Sequence, residues 1–175
     1  MMPNRPESFS ARTRWFLLII LGALLLVSCG SSKRGAVPSS MDDLSNLIES
    51  RQFEIEHDWA VPQRGRNINL TGNANYIRVE GDSVQLFLPY FGVRHFGGGY
   101  GDGGGIEYEG LLQELEIKQE ERRMLMTFDA GESSEGYQFH ITLYPNGNVN
   151  TTVISTQRDN ISYRGTVRER VVQEQ

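Results

Sequence analysis

Tyr137-Gln-Phe-His-Ile-Thr-Leu-Tyr-Pro-Asn-Gly-Asn-Val-Asn-Thr-Thr-Val153 is the stretch whose reading decides the fold. Tyr137, Phe139, Ile141 and Leu143 alternate with Gln138, His140 and Thr142, and Val149, Thr151 and Val153 resume the alternation beyond Pro145-Asn146-Gly147. Side chains of a strand point to opposite faces in turn, so each run reads as a strand with one dry and one wet face. Asn-Gly between two such runs supplies the positive backbone angles that a tight hairpin turn requires.

The same period spreads outward from this hairpin. Met124, Met126 and Phe128 precede it, the charged run Gln119 to Arg123 is a turn, and Leu115 and Ile117 alternate within Leu112 to Lys118. Ile106 to Glu109 forms another short run. Nearer the N-terminus, Phe53, Ile55, His57 and Trp59 alternate with Glu54, Glu56 and Asp58, which places Trp59 on the dry face with the other three. Pro62 and Gly65 break that strand, Ile68 and Leu70 mark a short one, and Ala74–Glu80 and Ser83–Leu88 pair around Glu80-Gly-Asp82. Ile161, Tyr163, Gly165 and Val167 carry the last strand. Ser40-Met-Asp-Asp43 has the serine cap and acidic first turn of a helix start, and Leu44, Leu47 and Ile48 form one apolar stripe that docks on the sheet. The expected fold is mainly β. It is an antiparallel sandwich or barrel-like sheet of about nine or ten strands, with one short N-terminal helix, preceded by a signal or anchor helix.

That leading segment has its own logic. Arg5, Arg12 and Arg14 are followed by an apolar run, Trp15 to Val27, interrupted only by Gly22. As a helix it would span about 20 Å, against about 30 Å for a bilayer's hydrocarbon core, so it reads as an export signal. It ends in Leu26-Val-Ser-Cys29, which resembles the lipobox of bacterial lipoproteins, with cleavage between Ser28 and Cys29 and lipidation (palmitate and related acyl chains) on Cys29. Cys29 is the only cysteine among 175 residues, so no disulfide can form within the chain. More than one acyl chain gives a stable tether to the membrane. The expected domains are a lipoprotein signal peptide at 1–28, a flexible tether at 29–40, a single β-rich domain at 41–170 and a tail at 171–175. Removing residues 1–28 takes the net charge from −5 to −7, and no block of Lys and Arg interleaves with aromatics, so a nucleic-acid partner is excluded.

Between the two halves of the domain lies Gly97-Gly-Gly-Tyr-Gly-Asp-Gly-Gly-Gly105, seven glycines in nine residues. It formally contains G-x-G-x-x-G, but a strand-like run follows where a phosphate site needs a helix N-terminus. Asp102 has too few acidic neighbours for a calcium cage. His57, His95 and His140 lack metal-ligand spacing, His57 reading as a core histidine and His140 as a solvated one. No cofactor and no metal are expected. Tyr90, Phe91, Tyr100, Asp102 and Tyr108 around the loop are the candidate binding residues, since tyrosine with glycine makes an adaptable recognition surface, although the pattern favours rings that simply cover the open end of the β-fold over a ligand mouth. No catalytic set can be assembled, although Glu107 and Glu109 share one face of a strand about 7 Å apart, the layout of a carboxylate pair.

Asp58-Trp-Ala, Gly65-Arg-Asn-Ile-Asn-Leu70, Gly81-Asp-Ser-Val84, Leu88-Pro-Tyr-Phe-Gly92, Gly104-Gly-Ile-Glu-Tyr-Glu-Gly110 and Ser162-Tyr-Arg-Gly165 together resemble a family of exported lipoproteins of Bacteroidetes. It is catalogued as domain of unknown function 4251, and the likeness runs from about Leu44 to Arg168. The resemblance implies a β-rich envelope protein and brings no catalytic residues. The expectation is therefore a membrane-anchored cell-envelope lipoprotein, in the outer membrane with its domain facing the periplasm or the exterior. It would be a non-enzymatic binding or structural module whose partner is an envelope protein, a glycan or a lipid. The alternatives are an envelope hydrolase using carboxylates near the glycine loop (Asp102, Glu107 or Glu109) and a carrier of a hydrophobic ligand.

Overall fold

The computed structural model describes residues 35–95, 104–132 and 135–171. The expected signal peptide with Ser28 and Cys29, residues 29–34 of the expected tether, and Tyr100 and Asp102 of the glycine stretch lie outside the described residues, while residues 35–40 of that tether run against the domain, with Ala36 O accepting from Glu169 N–H at 2.8 Å and Pro38 buried. Helix α1 (Met41–Glu49) is followed by β1 (Gln52–Pro62), β2 (Ile68–Asn69), β3 (Tyr76–Glu80), β4 (Ser83–Leu88) and β5 (Ile106–Leu111). Then come β6 (Gln113–Gln119), β7 (Met124–Glu132), β8 (Glu135–Leu143), β9 (Asn148–Ser155) and β10 (Ile161–Glu169). The hairpin quoted first is β8 and β9, paired Leu143 to Val149 through Tyr137 to Ser155, with Gly147 at φ 79° in its turn.

All ten strands belong to one antiparallel sheet in the order β5-β4-β3-β1-β10-β9-β8-β7-β6, with β2 beside β1. Its two outermost strands, β5 and β6, are consecutive in the chain and separated only by Leu112, whose N–H donates to Asp82 O at 2.9 Å. One run of backbone thus pairs with β4 through Leu111 and with β7 from Gln113 on. That joint bends the sheet round into a nearly closed barrel, rather than two stacked sheets.

The inward faces follow the period of two. Buried side chains occupy every second position of β8 from Glu135 to Leu143, and of β9 at Val149, Thr151 and Val153. Phe53, Phe128, Phe139 and Tyr163 are among the largest fully buried side chains, and Phe128 stacks on Phe139 with ring centroids 4.7 Å apart. The interior is therefore occupied by the protein's own rings. Helix α1 covers the end carrying the β3–β4, β6–β7 and β8–β9 turns. Ser40 Oγ accepts from Asp43 N–H at 3.0 Å, the expected cap, and Leu44 and Ile48 are buried, which stabilises the domain by roughly 1.5–3 kcal/mol each.

One expectation from alternation fails. Trp59 is not on the dry face. The register of β1 on β10 shifts between His57 and Trp59, so Asp58 is an extra residue and Ala60, fully buried, takes the next inward position while Trp59 is 42 % exposed. Such a bulge needs close backbone approach, and Gly165 on β10 permits it, since a Cβ there would sit 2.0 Å from Glu56 O. Expected core His57 is indeed inside, 1 % exposed, with Nε2 3.0 Å from Thr151 Oγ1 and the ring tilted against Tyr163. Asn75 clamps its backbone, accepting from His57 N–H at 2.7 Å and donating to His57 O at 2.9 Å. Nδ1 of His57 is buried without a partner among the described residues.

Burial favours the neutral ring and pushes the pKa of His57 from 6.5 down to about 3. The unfolded chain takes up a proton below 6.5 that the native state refuses, so stability falls as pH drops through that window. Between pH 7 and 4.5 this residue alone should cost the native state about 2.5 kcal/mol. Urea unfolding of His57→Gln should show a correspondingly shallower loss of stability over that range than the wild type. Equal slopes would mean that the buried ring accepts a proton in the native state.

Candidate functional site at the loop-bearing end of the barrel

The end opposite α1 carries the connections β4–β5, β7–β8 and β9–β10, and the expected binding residues belong here. Pro89 has no N–H to continue the ladder, so β4 stops at Leu88. Tyr163 reaches up from the core and donates its hydroxyl to Pro89 O at 2.9 Å. The chain then turns so that Arg94 bridges Arg158 of the β9–β10 connection, with His95 N–H donating to Gln157 O at 2.7 Å and Asp159 N–H to Val93 O at 2.9 Å. The Tyr90 hydroxyl lies 3.0 Å from both Val93 O and Asp159 O.

Two arginines opposite one another would repel, and Glu135 answers both. It shares the inward parity of Tyr137, Phe139 and Ile141 on β8, so its carboxylate enters the dry end of the barrel. Arg158 takes it with both prongs, Nε to Oε1 at 2.7 Å and Nη2 to Oε2 at 3.0 Å. Ser155 Oγ donates to Oε1 at 3.0 Å and Arg94 Nη2 to Oε2 at 3.1 Å. The third nitrogen of Arg158, Nη1, donates to Gly104 O at 3.1 Å, tying down the chain as it enters β5. The Arg158 guanidinium lies within cation–π range of the rings of Tyr90 and Tyr137, at 5.1 and 5.8 Å.

Burial alone would raise the pKa of Glu135, but hydrogen bonds from Arg158, Tyr137 and Ser155 outweigh it and hold the carboxyl below its usual range. Its stabilising contribution is therefore present at neutral pH and lost as pH falls through that lowered value. Burial and the neighbouring carboxylate push the Tyr137 hydroxyl up, so it remains a donor. Burial, reinforced by the charge of Asp159, also raises Tyr90.

Of the expected binding residues, Tyr90 and Phe91 do meet at this end, both packed against the core. Tyr108 does not join them as a lip residue. It pairs in register with inward Leu86, packs against the core, and donates its hydroxyl to Leu111 O at 3.0 Å. Glu107 and Glu109 stand exposed on the outer wall, with Gln85 Nε2 3.4 Å from Glu109 Oε2. His95, half exposed, has Nε2 2.8 Å from Asp159 Oδ1, and no hydroxyl or thiol bonds to its ring among the described residues. Reading the chain missed Arg94, Glu135 and Arg158. The available signal was Glu135, a charged residue at a dry position of an alternating run, which demands a buried partner.

A family model described as domain of unknown function (DUF4251) matches residues 39–167. A solved crystal structure of a DUF4251 family protein from Bacteroides eggerthii DSM 20697 superposes with a TM-score of 0.59 at 18% sequence identity, covering 76% of this chain and 89% of that one. At that identity the likeness speaks for the fold. No curated protein matches.

Arg158→Met should cost about 3–5 kcal/mol in chemical denaturation, because it strands a buried carboxylate. The double variant Glu135→Leu with Arg158→Met should recover most of that loss, since no charge then remains to be neutralised. A cost for the single variant under about 1 kcal/mol would mark the pair as a solvent-screened surface contact instead.

Proposed function

The chain belongs to the DUF4251 family, and from that premise we propose that it is a lipid-anchored module of the bacterial cell envelope which acts by binding rather than by catalysis. The observation that carries the binding half is the filled, nearly closed barrel of the described residues. Core rings fill the interior, α1 covers one end, and the bidentate Arg158–Glu135 pair ties the other. A carrier of a hydrophobic ligand needs a lined cavity, and here the lining side chains meet one another. The hydrolase alternative draws on Asp102, Glu107 or Glu109; Asp102 lies outside the described residues, and Glu107 and Glu109 stand on the open wall without a low-dielectric cleft to tune them. Among the described residues, the charged groups at the loop-bearing end meet each other: Glu135 two arginines, His95 Asp159.

The anchoring half rests on residues 1–29. Three arginines, an apolar run too short to span a bilayer, and Ser28 before a lone cysteine follow in the order of a processed lipoprotein signal. Cys29 then carries palmitate and related acyl chains. The acidic domain stands off the anionic surface on the tether that follows Cys29, which ends where Ala36 O accepts from Glu169 N–H on the domain, in the outer membrane and facing the periplasm or the exterior.

In a bacterial host, Cys29→Ala should abolish palmitate incorporation and leave an unprocessed precursor that begins at Met1. Labelling of the variant at the wild-type level would refute the anchor. The filled-barrel reading is checked separately by a fatty-acid-analogue dye, which should gain no fluorescence with the intact protein.

A further inference from the structure

The bulge that turns Trp59 outward does so beside a groove that the filled barrel does not need. On the outer wall of β1, β10 and β9, Trp59 lies in register with Arg164, and with Asp58, Asn148, Asn150 and Thr166 it lines an open groove of about 620 Å³. A second depression of about 530 Å³ shares Asn150 and Arg164 and continues toward Ser162. The strip therefore follows β10 from Thr166 to Ser162, about 13 Å at ~3.3 Å per residue.

Most of its polar groups are uncommitted. Elsewhere on this wall arginine meets glutamate, as in Arg78–Glu54, Arg168–Glu56 and Arg170–Glu80. Among the described residues, by contrast, the side chains of Asp58, Asn148, Asn150 and Arg164 have no hydrogen-bond or ion-pair partner. An exposed indole is thus ringed by free amide, carboxylate and guanidinium groups.

We propose that this groove binds a neutral oligosaccharide. A pyranose ring has a face of C–H bonds bounded by hydroxyls. The indole can take the face, while primary amides, each both donor and acceptor, match hydroxyls that are also both. One arginine and one aspartate leave the strip without net charge, which disfavours a polyanion. A peptide cannot join here by strand addition, because β1, β10 and β9 each have a bonded neighbour on both sides along this strip. The proposal gives the binding module a ligand class and a site, and it stands apart from the anchor at Cys29.

The test uses the full chain in detergent with Trp15→Phe, so that Trp59 is the sole tryptophan. Chitotriose, cellotriose and maltotriose are titrated, with a heparin-derived hexasaccharide as the charged comparison. At least one neutral trisaccharide should shift the Trp59 emission saturably. By calorimetry, Trp59→Ala should weaken that binding about tenfold or more and Asn150→Ala several-fold, at unchanged melting temperature. Cys29→Ala should bind like the wild type, so failure of the anchor and failure of the groove are told apart. The proposal is overturned if no neutral trisaccharide saturates by about 10 mM, if only the charged hexasaccharide binds, or if Trp59→Ala binds as the wild type does.

Discussion

A carboxylate on the dry face of β8 has to be answered, and the answer organises one end of the barrel. Glu135 left alone there would lose its hydration without replacement, at a cost of several kcal/mol. Arg158 replaces that hydration with a planar fork, and a fork that engages both oxygens has almost no rotational freedom left. Its remaining nitrogen is then aimed at Gly104 O, and the two tyrosine rings occupy its remaining surroundings. Satisfying one charge thus holds the β9–β10 connection to β8 and to the start of β5. The bridge between Arg94 and Arg158 adds the β4–β5 connection to the same knot.

The opposite end is sealed by different physics. Leu44 and Ile48 of α1 enter the barrel as apolar side chains, and burial of that kind is non-directional: it stabilises without fixing one angle. The arginine knot is directional and adds less net stability for its number of contacts, because desolvating its charges offsets much of their attraction. What it contributes is a single arrangement of three connections. Cap and knot lie at opposite ends of the curved sheet, and between them the described interior is packed with side chains such as Phe53, Phe128, Phe139 and Tyr163.

Most of the architecture was legible because its signals are local. Alternation names the strands, Asn146-Gly147 names a hairpin, and Ser40 with its acids names the helix start. Barrel against sandwich was not legible, since both share that alternation and the choice rests on the one-residue joint at Leu112. Trp59 was misread for a related reason. The run Phe53 to Trp59 keeps strict alternation, and what interrupts it is Gly165, over a hundred positions away, admitting the backbone of Glu56. Arg158 sits in a connection with no period at all, so only Glu135 could have pointed to it. The residues of the candidate site that act through register are therefore those that reading along the chain could not pair.

The bulge also bears on what the outer wall is for. Keeping Trp59 in the alternation would have buried a large ring, a gain of roughly 1.5–3 kcal/mol on the scale of other core side chains. The chain instead places Ala60 inside and displays the indole. Stability alone argues against each of these choices. A bulge is a standard means of re-aiming one side chain without disturbing the strands on either side, and the pairing of β1 with β10 does resume beyond it. Among the described residues the interior is packed with side chains and α1 lies over one end, so the outer wall is where that indole meets solvent. The stability forgone at Trp59 is accounted for if the ring is held out for something that binds there.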